Sequence, residues 1–189
     1  MLAGYFKKIG MRRFTVMAIG NLFLGMGISI FKLSGLGNDP FSGMVMALSD
    51  RTGITYALFL VMVNAVLFLY EITAGRKLIG AGTLINAFLL GYIVTFFYDI
   101  WLTFIGTPEQ MPQRVITVLT GVIITSFGVS LYQYPNVGVA PYDSISLIWC
   151  RKKPHVPYFW YRISTDTFCA LVCWLSGGII GLGTLRAAF

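Results

Sequence analysis

The chain has 189 residues, of which 57% are hydrophobic and 11% charged, and its mean hydropathy is +0.77. Soluble domains carry about 25% charged residues, so this composition excludes them and predicts a single all-α domain, residues 1–189, embedded in a lipid bilayer. The net charge of +7 does not indicate a nucleic-acid partner, because the basic residues form short clusters between apolar runs, at 7–13, 76–77 and 151–153. Such clusters are typical of cytoplasmic loops.

Long apolar stretches predict about six transmembrane helices, since a crossing needs roughly 20 apolar residues. They lie at about 13–33, 55–74, 78–104, 114–134 and 156–176, with a sixth beginning near 179. Two shorter segments, 40–49 and 141–150, begin with proline, which suits the first turn of a helix. Each covers roughly half of the hydrocarbon core. We predict short or re-entrant helices there, with interfacial helices as the alternative.

The sequence repeats itself with a single ungapped offset of 101 residues. Gly27 and Pro40 match Gly128 and Pro141, and the run at 79–84 matches that at 180–185 at every position except 81 and 182. An offset kept across the whole unit indicates a duplication. It predicts one repeat at about 12–106 and a second at about 113–189.

Three spans per repeat predict that the second copy enters the membrane from the opposite side, as in many transporters and channels. The N-terminus and the basic clusters would then be cytoplasmic, and the linker at 107–113 would lie outside. Full crossing by the short helices would instead give four spans per copy and a parallel repeat. The distribution of lysine and arginine does not separate these two topologies.

The last predicted span has only about eleven residues before Phe189, whereas its counterpart in the first repeat continues to about Trp101. A helix that ended in mid-bilayer would leave carbonyl groups without water. We therefore expect a truncated last helix. The alternative is an end packed in a wet cavity lined by protein, with Arg186 facing an aspartate or backbone groups.

Arg162 and Asp166 are the main candidate site residues, because charges within spans are rare and usually functional. They stand four apart, on one helix face, and can pair. Their repeat counterparts, Val61 and Ala65, are uncharged, so symmetric packing does not require the pair. A solute or proton site and a structural ion pair both remain open.

Asp39 and Asp143 flank the prolines that begin the two short helices. A carboxylate at this place caps free N–H groups and complements the helix dipole. The alternative is that half-helix N-termini point at substrate, as in transporters with broken helices. In that case Asn38, Ser42 and Tyr142 would add hydrogen-bonding groups.

Two polar residues in the second span have simpler predicted roles. Asn64 lies deep in the span and is expected to make an interhelical hydrogen bond. Asn64 is also a candidate substrate-binding residue. Glu71 lies near the inner end, beside Arg76 and Lys77, which predicts a surface ion pair.

The motifs Gly-Leu-Gly-Asn-Asp-Pro-Phe at 35–41, Gly-Ile-Thr at 53–55 and Gly-Arg-Lys-Leu-Ile-Gly-Ala-Gly-Thr-Leu at 75–84 resemble the YitT/YczE-like family of uncharacterised bacterial membrane proteins. Gly-Val-Ala-Pro-Tyr-Asp at 138–143 looks like the matching motif of the second half. The resemblance covers nearly the whole chain. It implies a multi-pass protein of the bacterial cytoplasmic membrane.

No catalytic triad, metal-ligand spacing or phosphate loop is found in the sequence, which predicts no enzyme activity, no cofactor and no metal. The expected function is a small-solute transporter or channel that acts on a small molecule or an ion. The alternatives are a non-transporting accessory or scaffold factor and a substrate-binding subunit that works with a separate ATPase. The expected partners are the lipid bilayer and either a protein partner or further copies of this chain.

Overall fold

The computed structural model of the chain describes residues 10–179 and 181. Within these residues the chain forms seven α-helices and no β-strand. The helices are α1 (Met11–Ser34), α2 (Pro40–Thr52), α3 (Tyr56–Ala74), α4 (Ala81–Phe104), α5 (Met111–Gln133), α6 (Pro141–Lys152) and α7 (Tyr158–Leu175). A 3₁₀ turn, Arg76–Leu78, connects α3 to α4.

Four of the described helices, α1, α3, α4 and α5, are long and apolar enough to cross a membrane. The predicted spans at 13–33, 55–74, 78–104 and 114–134 are thus confirmed as long apolar helices. The predicted fifth span corresponds to α7, an 18-residue helix that carries Arg162 and Asp166. The sixth, which begins near 179, lies almost wholly outside the described residues.

The two proline-led segments form short helices, as predicted. The helices α2 and α6 have 13 and 12 residues. At 1.5 Å per residue each is about 20 Å long or less, which is short of the hydrocarbon core of about 30 Å. In both, proline occupies the first turn, where its missing N–H group is not needed.

The helices α1 and α5 pack against each other through glycines. A Cβ atom added to Gly20 would lie 2.3 Å from the backbone nitrogen of Tyr132, and one added to Gly128 would lie 2.4 Å from that of Leu24. Residue numbers rise along α1 as they fall along α5, so the two helices run antiparallel. Since only glycine permits this approach, the helix pair depends on these positions.

Polar side chains connect the remaining long helices to this pair. The amide of Asn86 on α4 donates to Asn21 on α1 over 3.1 Å. The indole N–H of Trp101, also on α4, donates to the Ser29 hydroxyl over 3.0 Å. The helix α7 packs on α2 and α6. Many large apolar side chains of α3, α4 and α5 are exposed on the outer surface, as expected for contact with lipid.

The loop before α6 is attached to the start of α4 by backbone hydrogen bonds. The Gly82 N–H donates to the Val137 carbonyl over 3.0 Å, and the Val139 N–H donates to the Leu78 carbonyl over 3.1 Å. A Cβ atom on Gly80 would lie 2.0 Å from the Val137 oxygen, so glycine is required at that position. These contacts fix where α6 begins.

We predict that Gly128→Ala destabilises the protein relative to Gly121→Ala on the same helix. The added Cβ meets backbone at 2.4 Å in the first case and at 3.3 Å in the second. Both substitutions replace glycine with alanine in the same helix, so both gain the same helix propensity. The difference between their stabilities therefore reports the effect of the close backbone contact. We expect Gly128→Ala to be less stable by about 1–3 kcal/mol, measured by thermal unfolding in detergent. Equal stabilities would contradict the glycine-dependent contact.

Candidate functional site

A central cavity of about 500 Å³ is lined by residues from all seven described helices or from the residues that cap them. The starts of α2 and α6 face it, and α1 and α5 contribute its apolar walls. Its lining is mixed in character, with carboxylates, one guanidinium, hydroxyls and amides among aliphatic side chains. The polar lining residues are Asp39, Ser42, Asn86, Thr125, Ser126, Tyr132, Gln133, Tyr142, Asp143, Tyr158 and Arg162.

Arg162 bridges two carboxylates at this cavity. Its Nη1 atom forms an ion pair and hydrogen bond with Asp143 Oδ1, and its Nε atom lies 3.2 Å from Asp166 Oδ2. Asp166 is buried, with 2% of its side chain exposed, whereas Arg162 is 32% exposed. The pair predicted within one helix is therefore present, and a third charge from α6 joins it.

Tyrosine hydroxyls donate hydrogen bonds to both carboxylates. The Tyr142 hydroxyl donates to Asp166 Oδ1 over 2.5 Å, and the Tyr132 hydroxyl donates to Asp143 Oδ2. The amide of Gln133 also donates to Asp143 Oδ2, over 3.3 Å. Charge-assisted hydrogen bonds of this kind hold ionised groups in a site where water is scarce.

The ring of Tyr142 lies between an aromatic ring and a cation. Phe41 stacks on it with ring centroids 4.3 Å apart, and the guanidinium carbon of Arg162 lies 4.8 Å from its centroid. Stacking and cation–π attraction both favour this arrangement. The starts of α2 and α6 and the middle of α7 are thereby joined at one point on the cavity wall.

Asp39 is the N-cap residue of α2. Its Oδ2 atom accepts a hydrogen bond from the Ser42 N–H over 3.0 Å, so the predicted capping role is confirmed there. Its Oδ1 atom is buried and has no hydrogen-bond partner among the described residues. One oxygen of the Asp39 carboxylate therefore has no hydrogen bond within the described structure.

The capping role predicted for Asp143 is wrong. The N-cap position of α6 is Ala140, which has no side-chain hydrogen bond to the helix. Asp143 lies in the first turn, and its carboxylate instead contacts Arg162 and Tyr132. Its position in the first turn agrees with the other half of the prediction, that this carboxylate complements the helix dipole.

Five of the eight predicted site residues line the cavity, and Asp166 lies directly behind them. The other two do not reach it. Asn38 accepts from the Asp39 N–H over 3.0 Å and donates to the Met46 sulfur, which holds the loop before α2. Asn64 donates to the Ala87 carbonyl over 3.3 Å, which confirms its predicted interhelical hydrogen bond.

Several cavity residues were not singled out from the sequence. Asn86, Thr125, Ser126, Tyr132, Gln133 and Tyr158 all line it. A polar residue inside an apolar span is a sequence signal for such a site, and Asn86 and Thr125 show it. Tyr132 and Tyr158 lie near helix ends, where tyrosine is also typical of a membrane interface. Sequence alone therefore does not distinguish their inward orientation.

The surface ion pair predicted for Glu71 is also wrong. Glu71 is 0% exposed, and its two oxygens have no hydrogen bond or ion pair within the described part of the chain. Arg76 instead donates to the Ile72 carbonyl over 2.9 Å. The prediction fails because Glu71 lies on the inward face of α3. The basic residues that follow it in the sequence are exposed. Glu71 does not line the cavity.

No group of three His, Cys, Asp or Glu side chains that could hold a metal ion occurs among the described residues. Cys169 and Cys173 are buried with free thiols, and Cys150 is partly buried. The cysteines therefore act as packed side chains.

Comparison with known proteins assigns the chain to a family. Residues 11–189 match the model of a family of unknown function, DUF6198. The chain belongs to this family. No solved structure matches it significantly.

The chain is similar to three curated proteins over most of its length. It is 27% identical to an uncharacterised protein of Haemophilus influenzae, over 92% of this chain and 77% of that protein. It is 27% identical to the uncharacterised protein YyaS of Bacillus subtilis, over 92% and 85%. It is 25% identical to the uncharacterised membrane protein YczE of Bacillus subtilis, over 93% and 80%. The predicted YczE-like family is confirmed, and with four long apolar helices the chain is a multi-pass membrane protein.

We predict that Arg162→Met destabilises the protein more than Arg151→Met, which replaces an exposed arginine on α6. Removal of Arg162 leaves Asp143 and Asp166 without their shared cation. The expected loss is about 2 kcal/mol, below the roughly 3–5 kcal/mol of a fully buried pair, because Arg162 is 32% exposed. Thermal unfolding of the detergent-solubilised variants measures it. An equal effect of both substitutions would argue against the bridging role.

Proposed function

We propose that this protein is a transporter or channel for a small polar solute, with its binding site in the central cavity. The observation that carries the proposal is the bridged cluster of Arg162, Asp143 and Asp166 at a cavity in a membrane protein. Charged groups among membrane helices are costly and usually mark a substrate or ion pathway. Apolar side chains of similar volume often give equal or greater stability than a buried ion pair, so a purely structural role does not require these charges.

We infer that the duplication is inverted, and an inverted duplication supports this proposal. The contact of Gly20 with Tyr132 corresponds, through the offset of 101, to the contact of Gly121 with Phe31. The contact of Gly27 with Thr125 corresponds in the same way to that of Gly128 with Leu24. Equivalent helices that pair reciprocally and antiparallel are what a two-fold axis in the membrane plane produces. Transporters with this symmetry place their site between the repeats.

The short helices support the same interpretation. Both α2 and α6 begin at the cavity, where Ser42 and Tyr142 line it together with the two flanking aspartates. Half-length helices whose N-termini meet at a midplane site are a recurring feature of transporters. We therefore infer that α2 and α6 are re-entrant, with the N-terminus of the chain on the cytoplasmic side.

The size and lining of the cavity indicate the class of solute. A volume of about 500 Å³ lies within the roughly 300–1,000 Å³ of small-molecule sites. The apolar part of the wall includes Leu24, Ile28 and Val129, and the charged cluster would orient a bound solute. A small polar or charged molecule fits this combination better than a lipid or a macromolecule does.

We predict that Val122→Trp, which fills the cavity, abolishes ligand binding and flux, whereas Ile123→Trp does not. Val122 lines the cavity, and its neighbour Ile123 is 69% exposed on the outer surface. Thermal stability is measured against a panel of small solutes, and each solute that stabilises the wild type is then assayed for flux in proteoliposomes.

Flux that is lost in Val122→Trp and kept in Ile123→Trp supports transport through this cavity. Equal flux in both variants would place any pathway elsewhere. The wild type could also show neither a ligand response nor flux, and co-purify with a protein partner. That result would favour an accessory factor or a subunit that needs an ATPase.

A further inference from the structure

Glu71 is a fully buried carboxyl group without a partner among the described residues. It is 0% exposed, and neither Oε1 nor Oε2 makes a hydrogen bond within that part of the chain. Ionised carboxylates inside proteins are normally paired or hydrogen-bonded, because burial of an unpaired charge is strongly unfavourable. Such surroundings favour the neutral acid, with a proton on one of the two oxygens.

Glu71 lies where α3 packs on α6. The residue before it, Tyr70, accepts a hydrogen bond at its hydroxyl from the Trp149 indole N–H over 3.0 Å. One turn after Glu71, a Cβ atom on Gly75 would lie 2.6 Å from the side chain of Ile148. Contacts with α6 therefore occur on both sides of Glu71 along α3.

No ion pair within 4 Å reaches Glu71 from a described residue. The elements that pack against α3 are α2, α4, α6 and the 3₁₀ turn. On that turn, Arg76 and Lys77 are exposed. At the end of α6, Arg151 and Lys152 are exposed as well. These four cations are directed to the surface and do not neutralise the buried carboxyl.

The acidic groups on the same elements have other partners or positions. Asp39 caps α2, and Asp143 is bound to Arg162. Asp50 and Asp99 lie near the ends of α2 and α4, towards the residues where α3 begins. None of them shares a proton with the carboxyl near the end of α3.

The hydroxyl of Ser144 on α6 lies next to the Glu71 carboxyl. It donates its own hydrogen to the Pro141 carbonyl over 2.8 Å. A serine hydroxyl has one hydrogen, so the Ser144 oxygen can only accept from Glu71. An acid O–H can donate to that oxygen, whereas a carboxylate gains nothing from it.

We propose that Glu71 is a proton-binding site, protonated in this conformation, that makes the transport cycle proton-dependent. The inference rests on the proposed function, since it names an ion that is bound and released during that cycle. On release, the O–H bond of Glu71 breaks, the proton passes to water, and a carboxylate remains. Water is close, because the exposed Arg76 follows Glu71 within two helical turns.

The helix α6 connects Glu71 with the cavity. At the start of α6, the Tyr142 hydroxyl donates to Asp166. Asp143, in the same turn, binds Arg162. An ionised Glu71 requires water, and water reaches it when α3 and α6 separate. This separation shifts α6, and with it the two side chains that hold the charged cluster at the cavity wall.

The first test is infrared spectroscopy of the full chain in proteoliposomes prepared in D₂O. At neutral pH the wild type is expected to show the carbonyl stretching band of a protonated carboxylic acid. The band is expected to lose intensity in Glu71→Gln and to disappear reversibly from the wild type at alkaline pH. Glu109→Gln is the matched control, since Glu109 is an exposed glutamate before α5 and its replacement leaves the band unchanged. Equal bands in the wild type and Glu71→Gln overturn the proposal.

Thermal unfolding in detergent tests the same proton. The folded state holds it, whereas the unfolded chain exposes Glu71 to water and has released it at neutral pH. The ratio of folded to unfolded protein therefore falls, by up to about tenfold per pH unit, as the pH rises. Glu71→Gln removes this component, and Glu109→Gln keeps it. Parallel pH profiles of the wild type and Glu71→Gln contradict the proposal.

Glu71→Met is a second variant, in case Glu71→Gln does not fold. Its unbranched apolar side chain is similar in length and binds no proton, so either folded variant serves for both comparisons. The absence of an acid band from the wild type overturns the proposal even if neither variant folds.

Flux measurements separate this inference from the proposed function. In proteoliposomes, uptake of each stabilising solute is compared with and without a pH gradient, and the gradient is expected to change it severalfold in the wild type but not in Glu71→Gln. An acid band from Glu71 in a protein that moves no solute keeps the proton site and contradicts transport. Flux that is equal with and without the gradient keeps transport and overturns its proton dependence.

Discussion

The close antiparallel contact of α1 and α5 is the constraint on which the rest of the structure depends. In lipid there is no hydrophobic force between apolar helices, so association relies on packing and on polar contacts. Gly20 and Gly128 allow backbone to meet backbone, and no larger side chain fits there. The helix α1 is accordingly the most enclosed, with 56% of its most apolar window buried against 22% in α3, α4 and α5. The short helices pack on α7 and α3, and the cavity lies between this group and the α1–α5 pair.

The distribution of polarity follows from that arrangement. The outward faces are apolar, whereas the interior holds amides, hydroxyls and charges. Such groups are stable among membrane helices only where they satisfy one another, and most do so. Asn21 with Asn86 and Tyr132 with Asp143 are examples of pairs joined by hydrogen bonds. Asp39, Glu71 and Asp166 are exceptions, since each has a buried carboxylate oxygen without a hydrogen bond among the described residues.

Much of the fold was predictable from the sequence, because the signals involved are local. Apolar length identified the spans, proline marked the start of both short helices, and the spacing of Arg162 and Asp166 predicted their contact. The third member of that cluster, Asp143, was not predictable as such, since its partner lies 19 residues away on another helix. Glu71 was misjudged because proximity to Arg76 in sequence does not determine which helix face a side chain occupies. The cavity likewise arises from tertiary packing, for which a single sequence carries no direct signal.

The backbone hydrogen bonds between the α4 start and the loop before α6 have a mechanical consequence. Gly82 and Val139 tie these two segments together without side chains, so rotamer changes cannot loosen the connection. The first turn of α4 and the N-terminal end of α6 therefore form one unit linked through the backbone. The α2 side of the cavity has no such backbone tie to α4 among the described residues. The start of α2 is joined to the same unit by side chains, through the stacking of Phe41 on Tyr142. The α6 wall of the cavity is thus positioned by backbone hydrogen bonds, whereas this contact of the α2 wall depends on side-chain packing.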